Sequence, residues 1–305
     1  MMRLKYTSLV SGGLFQIATL LTPGAATHAA MAAQIDTAPM PMLFDSRERL
    51  PRPDLSNLVR FRVLTSTDFP PFNFADQTGR LSGFHVDLIR EICAELNIEA
   101  KCQIQALAFS DLEEALESGQ GEAVIAGISV TEALRRKFDF SRPYMMLPAR
   151  FVRNKSTAGK GEDIRALNGQ TVGVVDGTAH QAMLSSFFPR MKASLYENRG
   201  SLLDGLRKGE IGAAFADAQQ LSFWVNSKSS ESCCELFGAP YFSERFLGEG
   251  LTVMVRDDDA TLRQAIDSAL STLSRKGRLQ DIYLRYFPYG LYGERADATA
   301  GQDLR

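Results

Sequence analysis

Residues 60–96 have the sequence RFRVLTSTDFPPFNFADQTGRLSGFHVDLIREICAEL. Apolar and polar residues alternate over 60–65, which predicts a β-strand. A loop rich in proline, aspartate and glycine follows. From Phe84 onward the apolar residues recur three and four positions apart, which predicts an amphipathic helix that ends near Leu96. A strand that leads through a loop into a helix begins a β-α-β unit, so this stretch predicts an α/β fold.

The same alternation of strands and helices continues after this helix. Further strands are predicted at 101–107 and 122–126. Ser110 and Ser129 each precede a glutamate by three positions, which is the capping-box pattern at the start of a helix. The resulting order is β-α-β-α-β, which is typical of a mostly parallel sheet flanked by helices.

A second run of alternating elements begins at Ala149. Strands are predicted at 149–153, 171–175, 194–196 and 211–215, with helices over 183–187, 201–208 and 217–225. A strand at 251–256 and two helices at 259–275 and 279–286 follow. Because the second run is similar in extent to the first, two α/β lobes account for the length of the chain.

The N-terminus has the three-part layout of a secretory signal peptide, which we predict over residues 1–32. Arg3 and Lys5 give a positive start, 8–21 is an uncharged and largely apolar run, and Ala30-Met31-Ala32 fits a cleavage site. The alternative is an uncleaved anchor, although the apolar run is short for a membrane span. Residues 33–58 are rich in proline and are predicted to be an arm or linker. We therefore expect an exported, soluble protein.

Composition and cysteine content restrict the function further. The chain has 305 residues, a hydrophobic fraction of 45% and a formal net charge of −2, so we expect no nucleic-acid partner. An exported protein can form disulfides, and one between Cys93 and Cys102 is plausible. The adjacent Cys233 and Cys234 are either free thiols or a vicinal disulfide. Their spacing does not suit zinc, and we expect no metal and no cofactor.

Seven short motifs occur in a fixed order along the chain. They lie at 68–72, 83–88, 127–131, 138–144, 172–178, 213–217 and 285–287. Together they resemble the motifs of the family-3 extracellular solute-binding proteins, the polar-amino-acid receptors of ABC importers. The resemblance covers about residues 60 to 292. One such motif alone is weak, but seven in register behind a signal peptide are specific.

The resemblance implies a periplasmic-binding-protein-like fold, in which two α/β lobes are joined by two crossover strands and enclose a ligand cleft. Lobe 1 would comprise residues 59–147 and 243–292, and lobe 2 would comprise 148–242, with a C-terminal tail at 293–305. The crossovers would lie near Pro148-Ala149 and 241–246. The cleft would form where loops leave the carboxyl ends of the strands.

The function implied by the resemblance is that of a periplasmic, monomeric component of an ABC importer. It would close around an amino acid or amino-acid-like molecule and deliver it to an inner-membrane permease, without being an enzyme. One alternative is a periplasmic enzyme on the same fold, similar to cyclohexadienyl dehydratase. Another is the sensor ectodomain of a signalling chain.

Eight residues are candidates for ligand binding. Asp217 follows an apolar strand and matches the family position that binds an ammonium group, although an aspartate before a helix is also a common N-cap. Ser129, in the loop that begins at Gly127, would contact the ligand or cap the helix behind it. Thr178 and Ala179 would offer backbone N–H groups at a helix start. The remaining candidates are Phe69 and Phe109, which match positions of aromatic stacking, and Arg135.

Two positions depart from the family pattern. The family's carboxylate-binding arginine would stand at 134, where this chain has Leu134, so that Arg135 could replace it only if the loop shifts. The acid typical of receptors for basic amino acids would stand at 66, where this chain has Ser66. Both departures argue against an unmodified basic amino acid held in the family's usual way. His180 is either a contact in the cleft or an ordinary helix-end residue.

Overall fold

Thirteen strands and nine α-helices form the chain in the computed structural model, which describes residues 39–292 apart from 42, 46, 158–160 and 162. The strands are β1 (Phe61–Thr65), β2 (Asp68–Phe69), β3 (Asn73–Ala75), β4 (Leu81–Ser82), β5 (Cys102–Ala106), β6 (Ala123–Val124), β7 (Phe138–Phe140), β8 (Ala149–Asn154), β9 (Thr171–Val175), β10 (Lys192–Tyr196), β11 (Ala213–Asp217), β12 (Cys234–Tyr241) and β13 (Met254–Arg256). The helices are α1 (Phe84–Leu96), α2 (Leu112–Glu117), α3 (Glu132–Arg135), α4 (Ala179–Phe187), α5 (Arg199–Lys208), α6 (Ala218–Val225), α7 (Glu244–Leu247), α8 (Ala260–Arg275) and α9 (Arg278–Tyr286). The predicted signal peptide and C-terminal tail lie outside the described residues.

The strands form two five-stranded sheets and one small three-stranded sheet. Sheet A has the order β5-β1-β6-β13-β7, sheet B has the order β10-β9-β11-β8-β12, and the small sheet has the order β2-β3-β4. Four strands of each large sheet run in the same direction, whereas β13 in sheet A and β8 in sheet B run antiparallel to both neighbours. We call the body around sheet A lobe 1 and the body around sheet B lobe 2. The predicted class, two α/β lobes, is confirmed.

Helix α1 illustrates how the apolar pattern produces the core of lobe 1. Its residues Phe84, Leu88 and Ile92 fall on one face and are almost completely buried against α8 and α9. Burial of each such side chain contributes about 1.5–3 kcal/mol. The helix ends at Asn97, whose φ of 58° lies in the left-handed region that closes many helices. Within the described ranges, no helix combines the length and apolarity that a membrane span requires.

The described part of the predicted arm, from residue 39 to 58, packs on lobe 1. Met40 and Phe44 are only 8% and 3% exposed and join the core of that lobe. Glu48 forms a bidentate ion pair with Arg142, in which Nη2 donates to Oε1 over 2.8 Å. The backbone N–H of Met40 also donates to the side chain of Gln280. The arm is therefore held by lobe 1 through apolar burial and paired charges.

Two segments of chain connect the lobes and lie beside each other. The first passes into sheet B where β8 begins, and the second leaves sheet B where β12 ends. Met145 on the first segment and Leu251 on the second form an antiparallel bridge. The hydroxyl of Tyr292 also donates to the carbonyl of Met146 over 2.8 Å. A pair of neighbouring connections is the arrangement through which two lobes move as rigid bodies.

The structure corrects two of the predicted helix starts. Ser110 caps no helix, because α2 begins at Leu112 with Asp111 before it and no side-chain cap. Ser129 caps no helix either, because the cap of α3 is Thr131, whose Oγ1 accepts from the N–H of Leu134 over 3.2 Å. In each case a second residue of a capping type lies within two positions of the predicted one. The sequence pattern alone does not show which of the two neighbouring residues precedes the helix.

Disulfides pair all four cysteines. Cys93 near the end of α1 is bonded to Cys102 at the start of β5, which closes a short connection in lobe 1. Cys233 and Cys234 are bonded to each other at the start of β12. Of the two alternatives for this pair, the structure has the vicinal disulfide rather than free thiols.

Candidate functional site

A cavity of about 260 Å³ lies between the lobes and is lined by both of them. The lining consists of Phe69, Gly127, Ile128, Ser129, Val130, Leu147, Ala179, His180, Asp217, Phe246, Leu247, Gly248, Glu249, Gly250 and Leu251. Sites for drug-sized ligands measure roughly 300–1,000 Å³, so this cavity suits a smaller molecule. Mostly apolar walls with a few polar groups are typical of a ligand site.

A larger hollow of about 590 Å³ lies elsewhere, between the Pro70-Pro71 loop and helices α5 and α6. Its walls include Leu203, Phe223 and Trp224. The smaller cavity is the candidate site because loops at the carboxyl ends of strands in both sheets converge on it, which is where α/β proteins bind ligands. Within the described residues, no group of three His, Cys, Asp or Glu side chains could hold a metal ion.

Phe69 forms one wall of the cavity and is held from behind. Its ring stacks on that of Phe72 with a centroid distance of 4.7 Å and an interplanar angle of 17°. A Cβ atom at Gly127 would lie 2.4 Å from Cε1 of Phe69. Gly127 also has a φ of +75°, where glycine carries no steric penalty. These neighbours fix the plane of an aromatic ring at the cavity surface.

A buried polar network lies beneath this aromatic wall. The His85 Nδ1 and Asn73 Oδ1 atoms are 2.6 Å apart, and the His85 Nε2 and Tyr144 hydroxyl are 2.8 Å apart. Burial lowers the pKa of His85 to about 3, so the ring is neutral at pH 7. Because the Asn73 oxygen can only accept, we assign the proton to Nδ1, and Nε2 accepts from Tyr144.

Ser66 belongs to the same network and lies away from the cavity. It is 1% exposed, and its hydroxyl and carbonyl oxygens both accept hydrogen bonds from Nδ2 of Asn73. This position, where receptors for basic amino acids are expected to carry an acid, is therefore used for internal hydrogen bonding. It offers no carboxylate to a ligand.

Asp217 and His180 meet on the opposite wall. Asp217 is the last residue of β11, and although it stands before α6 its side chain makes no cap hydrogen bond. Its Oδ1 lies 3.4 Å from Nε2 of His180, a buried atom that has no hydrogen-bond partner in the described part of the chain. The capping alternative for Asp217 is thus not realised. The partly exposed Asp217 carboxylate is available to a polar ligand, and the buried Nε2 atom of His180 lies beside it.

The loops that carry Ser129 and Ala179 reach the cavity from opposite lobes. Ser129 lies between β6 and α3 in lobe 1, and Ala179 is the first residue of α4 in lobe 2. Thr178 precedes α4, where its hydroxyl accepts from the N–H of Gln181 and donates to the carbonyl of Val175 over 2.7 Å. The Thr178 side chain therefore stabilises the helix start and is not part of the cavity lining.

Phe109 and Arg135 are predicted candidates that do not line the cavity. Phe109 lies in a single 3-10 turn and is 49% exposed. Arg135 forms an ion pair with Glu249, and its Cζ lies 5.7 Å from the ring centroid of Phe140. Glu249 does line the cavity, yet it belongs to none of the sequence motifs. Its only signal was a charge in the glycine-rich stretch at 248–250.

Two α/β lobes joined by two segments, with a ligand-sized cavity between them, define a two-lobed solute-binding protein. The chain belongs to the bacterial extracellular solute-binding proteins, family 3, whose family model matches residues 61–289.

Named relatives agree with this assignment. The chain is 26% identical over 225 residues to the ABC transporter arginine-binding protein 1 of Escherichia coli (strain K12), which is 73% of this chain and 88% of the relative. It is 26% identical over 239 residues to the lysine/arginine/ornithine-binding periplasmic protein of the same strain, which is 76% of this chain and 89% of the relative. These relatives are named as binding proteins and not as enzymes.

A solved structure has the same fold. It is that of an arginine 3rd transport system periplasmic binding protein from Legionella pneumophila, with a TM-score of 0.52 and 26% identity. The match covers 75% of this chain and 100% of the other chain.

Proposed function

We propose that this protein is the substrate-binding component of an ABC importer and that it binds an amino acid or amino-acid-like solute between its lobes. The observation that carries the proposal is the position of Asp217. Its side chain is 36% exposed at the cavity and is not consumed as a helix cap. A carboxylate placed in this way is a strong partner for a ligand ammonium group.

The lining of the cavity supports closure as the mechanism. Phe69 and Ser129 come from lobe 1, whereas Ala179 and Asp217 come from lobe 2. A ligand shifts the equilibrium toward a closed form only if it binds that form better than the open one. A solute that stacks on Phe69 and pairs with Asp217 meets this condition, because both contacts are complete only when the lobes are together.

The remaining parts of the proposal follow from the family and its relatives. The relatives named above bind arginine, lysine or ornithine, and the name of one places it in the periplasm. The periplasmic name of that relative supports our proposal that this chain lies in the periplasm. We further propose that it is a monomer that docks on an inner-membrane permease. We also propose lobe boundaries at 59–147 with 243–292 and at 148–242, with 1–32 as the signal peptide.

Ligand binding is tested by thermal-shift and calorimetric titration of the purified protein with amino acids and with their amine derivatives. Asp217→Asn should weaken binding of any ammonium-bearing ligand by at least about tenfold, since it removes one charged partner of the pair. Asp258→Asn is the matched control, because Asp258 is 77% exposed and makes only a surface ion pair with Arg256.

Two results would count against the proposal. Equal ligand affinity in the Asp217→Asn and wild-type proteins would remove Asp217 from the site. Turnover of prephenate or arogenate by the purified protein would favour the enzyme on the same fold instead.

A further inference from the structure

We infer that the cavity selects an organic cation that lacks a carboxylate beside its ammonium group, an amine rather than the corresponding amino acid. The inference rests on the proposed function and narrows its ligand. The described lining of the cavity carries two carboxylates and no free guanidinium group.

The two carboxylates belong to Asp217 and Glu249. Among the residues that the structure describes, the Asp217 carboxylate has no charged partner other than the imidazole of His180, whereas Glu249 is paired with Arg135. Among the lining residues that the structure describes, none is a lysine or an arginine. Since Glu249 and Arg135 offset each other, Asp217 leaves one net negative charge on the walls before any charge on His180 is counted. A cation complements that charge, and a zwitterion brings an anion for which no cationic side chain is provided.

Arg135 is the arginine that the sequence predicts for a ligand carboxylate, but its guanidinium group already makes two other contacts. It pairs with Glu249 while its guanidinium lies near the ring of Phe140. A ligand carboxylate that took Arg135 would leave Glu249 as an unpaired anion in the cavity wall, which is unfavourable. The preceding residue, Leu134, packs against the core of lobe 1 and offers no polar group.

The backbone at the start of α4 is the other possible anion site, and Asp217 competes for it. His180 is the second residue of α4, and its side chain reaches to 3.4 Å from the Asp217 carboxylate. A ligand carboxylate at this helix start would lie close to Asp217, and neighbouring like charges disfavour each other. The same place suits an ammonium group that pairs with Asp217.

The apolar walls suit the rest of such a ligand. The Phe69 ring, which is held in place by Phe72 and Gly127, lines the cavity. An ammonium group over an aromatic face gains a cation–π interaction, and a methylene chain gains from burial against Ile128 and Leu251.

The test compares molecules that differ only by the carboxylate. Purified protein is titrated calorimetrically with three pairs: agmatine and L-arginine, cadaverine and L-lysine, putrescine and L-ornithine. The amino acids are those named for the relatives, and each amine is the decarboxylated counterpart. We expect at least one amine to bind ten or more times as tightly as its amino acid, because a buried carboxylate without a charged partner is strongly disfavoured.

A second measurement examines the role assigned to Glu249. Glu249→Gln releases Arg135, so the ratio of amine to amino-acid affinity should fall by about tenfold or more, as expected for a freed charged partner. Glu244→Gln is the control, since Glu244 lies on the exposed side of α7 nearby. A purely structural role for Glu249 would weaken both members of a pair equally.

The outcomes separate the inference from the proposed function. An amino acid that binds as tightly as its amine, or tighter, overturns the inference and leaves the binding protein intact. If the correctly folded protein binds neither member of any pair, the inference is overturned. If it also binds no other amino acid, the proposed ligand class fails as well.

Discussion

The aromatic ring of Phe69 lies directly against the backbone of Gly127, so that a Cβ atom at position 127 would be only 2.4 Å from Cε1 of the ring. Phe69 belongs to β2 and Gly127 follows β6, and thus two separate loops of lobe 1 form a single cavity wall. Since the ring is also stacked on Phe72, its position is restrained.

Gly127→Ala should therefore displace Phe69 and weaken ligand binding by about tenfold or more. A tenfold loss of affinity corresponds to about 1.4 kcal/mol of binding free energy. Gly119→Ala is the matched control. Gly119 has a similar φ of +73°, but an added Cβ there meets nothing within 4 Å. Both variants bear the cost of a left-handed alanine, about 1–2 kcal/mol, and only Gly127→Ala adds the clash. Equal ligand affinity of the two variants in calorimetry would show that Phe69 does not shape the site.

Ser129 and Thr131 allow the two roles predicted for Ser129 to be separated. Thr131 caps α3, whereas Ser129 lines the cavity and caps nothing. Thr131→Ala should lower the free energy of unfolding by about 1 kcal/mol through loss of the cap. Ser129→Ala should change it by less than about 0.5 kcal/mol and reduce ligand affinity instead. Urea unfolding and calorimetry on both variants give the comparison, and the reverse pattern would assign Ser129 a structural role.

The buried His85 should make folding sensitive to acid. Its pKa in the folded protein is about 3, against an ordinary value of 6.5, because burial disfavours the charged ring. The stability that depends on the neutral ring is complete above about pH 6.5, the unfolded-state value, and is lost progressively as the pH falls toward 3. Within this window each pH unit should cost about 1.4 kcal/mol from this group.

Urea unfolding at a series of pH values measures this loss, and His85→Gln provides the comparison because glutamine takes up no proton. The variant is less stable at pH 7, since it disturbs the bonds to Asn73 and Tyr144, but its stability should depend less on pH. An imidazole NMR signal of His85 that shows protonation at pH 5 would contradict the prediction directly. Wild-type and variant curves of equal slope would also contradict it.

The sequence predicts most of the longer elements for a physical reason, although the eight-residue strand β12 was not predicted. Helix α1 was placed at its observed bounds because a half-buried helix must repeat its apolar residues with the helical period. Strands β2 to β4 were missed because segments of two or three residues are too short to show an alternation. Strand β11 was placed two residues early, since its buried run begins with Ile211 before the first sheet pairing at Ala213.

The site was predictable in part. Phe69, Gly127, Ser129, Ala179 and Asp217 do line one cavity, and their contacts with a ligand stay predictions. Four of these residues lie in a motif, and Ala179 directly follows one, so that their strand or loop positions could be inferred. The partner of Arg135 could not be inferred in this way. Glu249 is 114 positions away along the chain, and only the return of the second connecting segment brings the two charges together.

The contribution of the arm at 39–58 to the core of lobe 1 could not be expected from the sequence pattern. Phe44 lies in a proline-rich stretch with no clear periodicity, yet it is 3% exposed in the core of lobe 1. Phe44→Ala should lower the free energy of unfolding by about 3–5 kcal/mol, as is usual for a buried phenylalanine. Phe109→Ala is the control for the same chemical change, because Phe109 is 49% exposed and should cost far less. Both values come from urea unfolding at pH 7. A loss in Phe44→Ala no larger than that in Phe109→Ala would mean that the arm lies on lobe 1 without stabilising it.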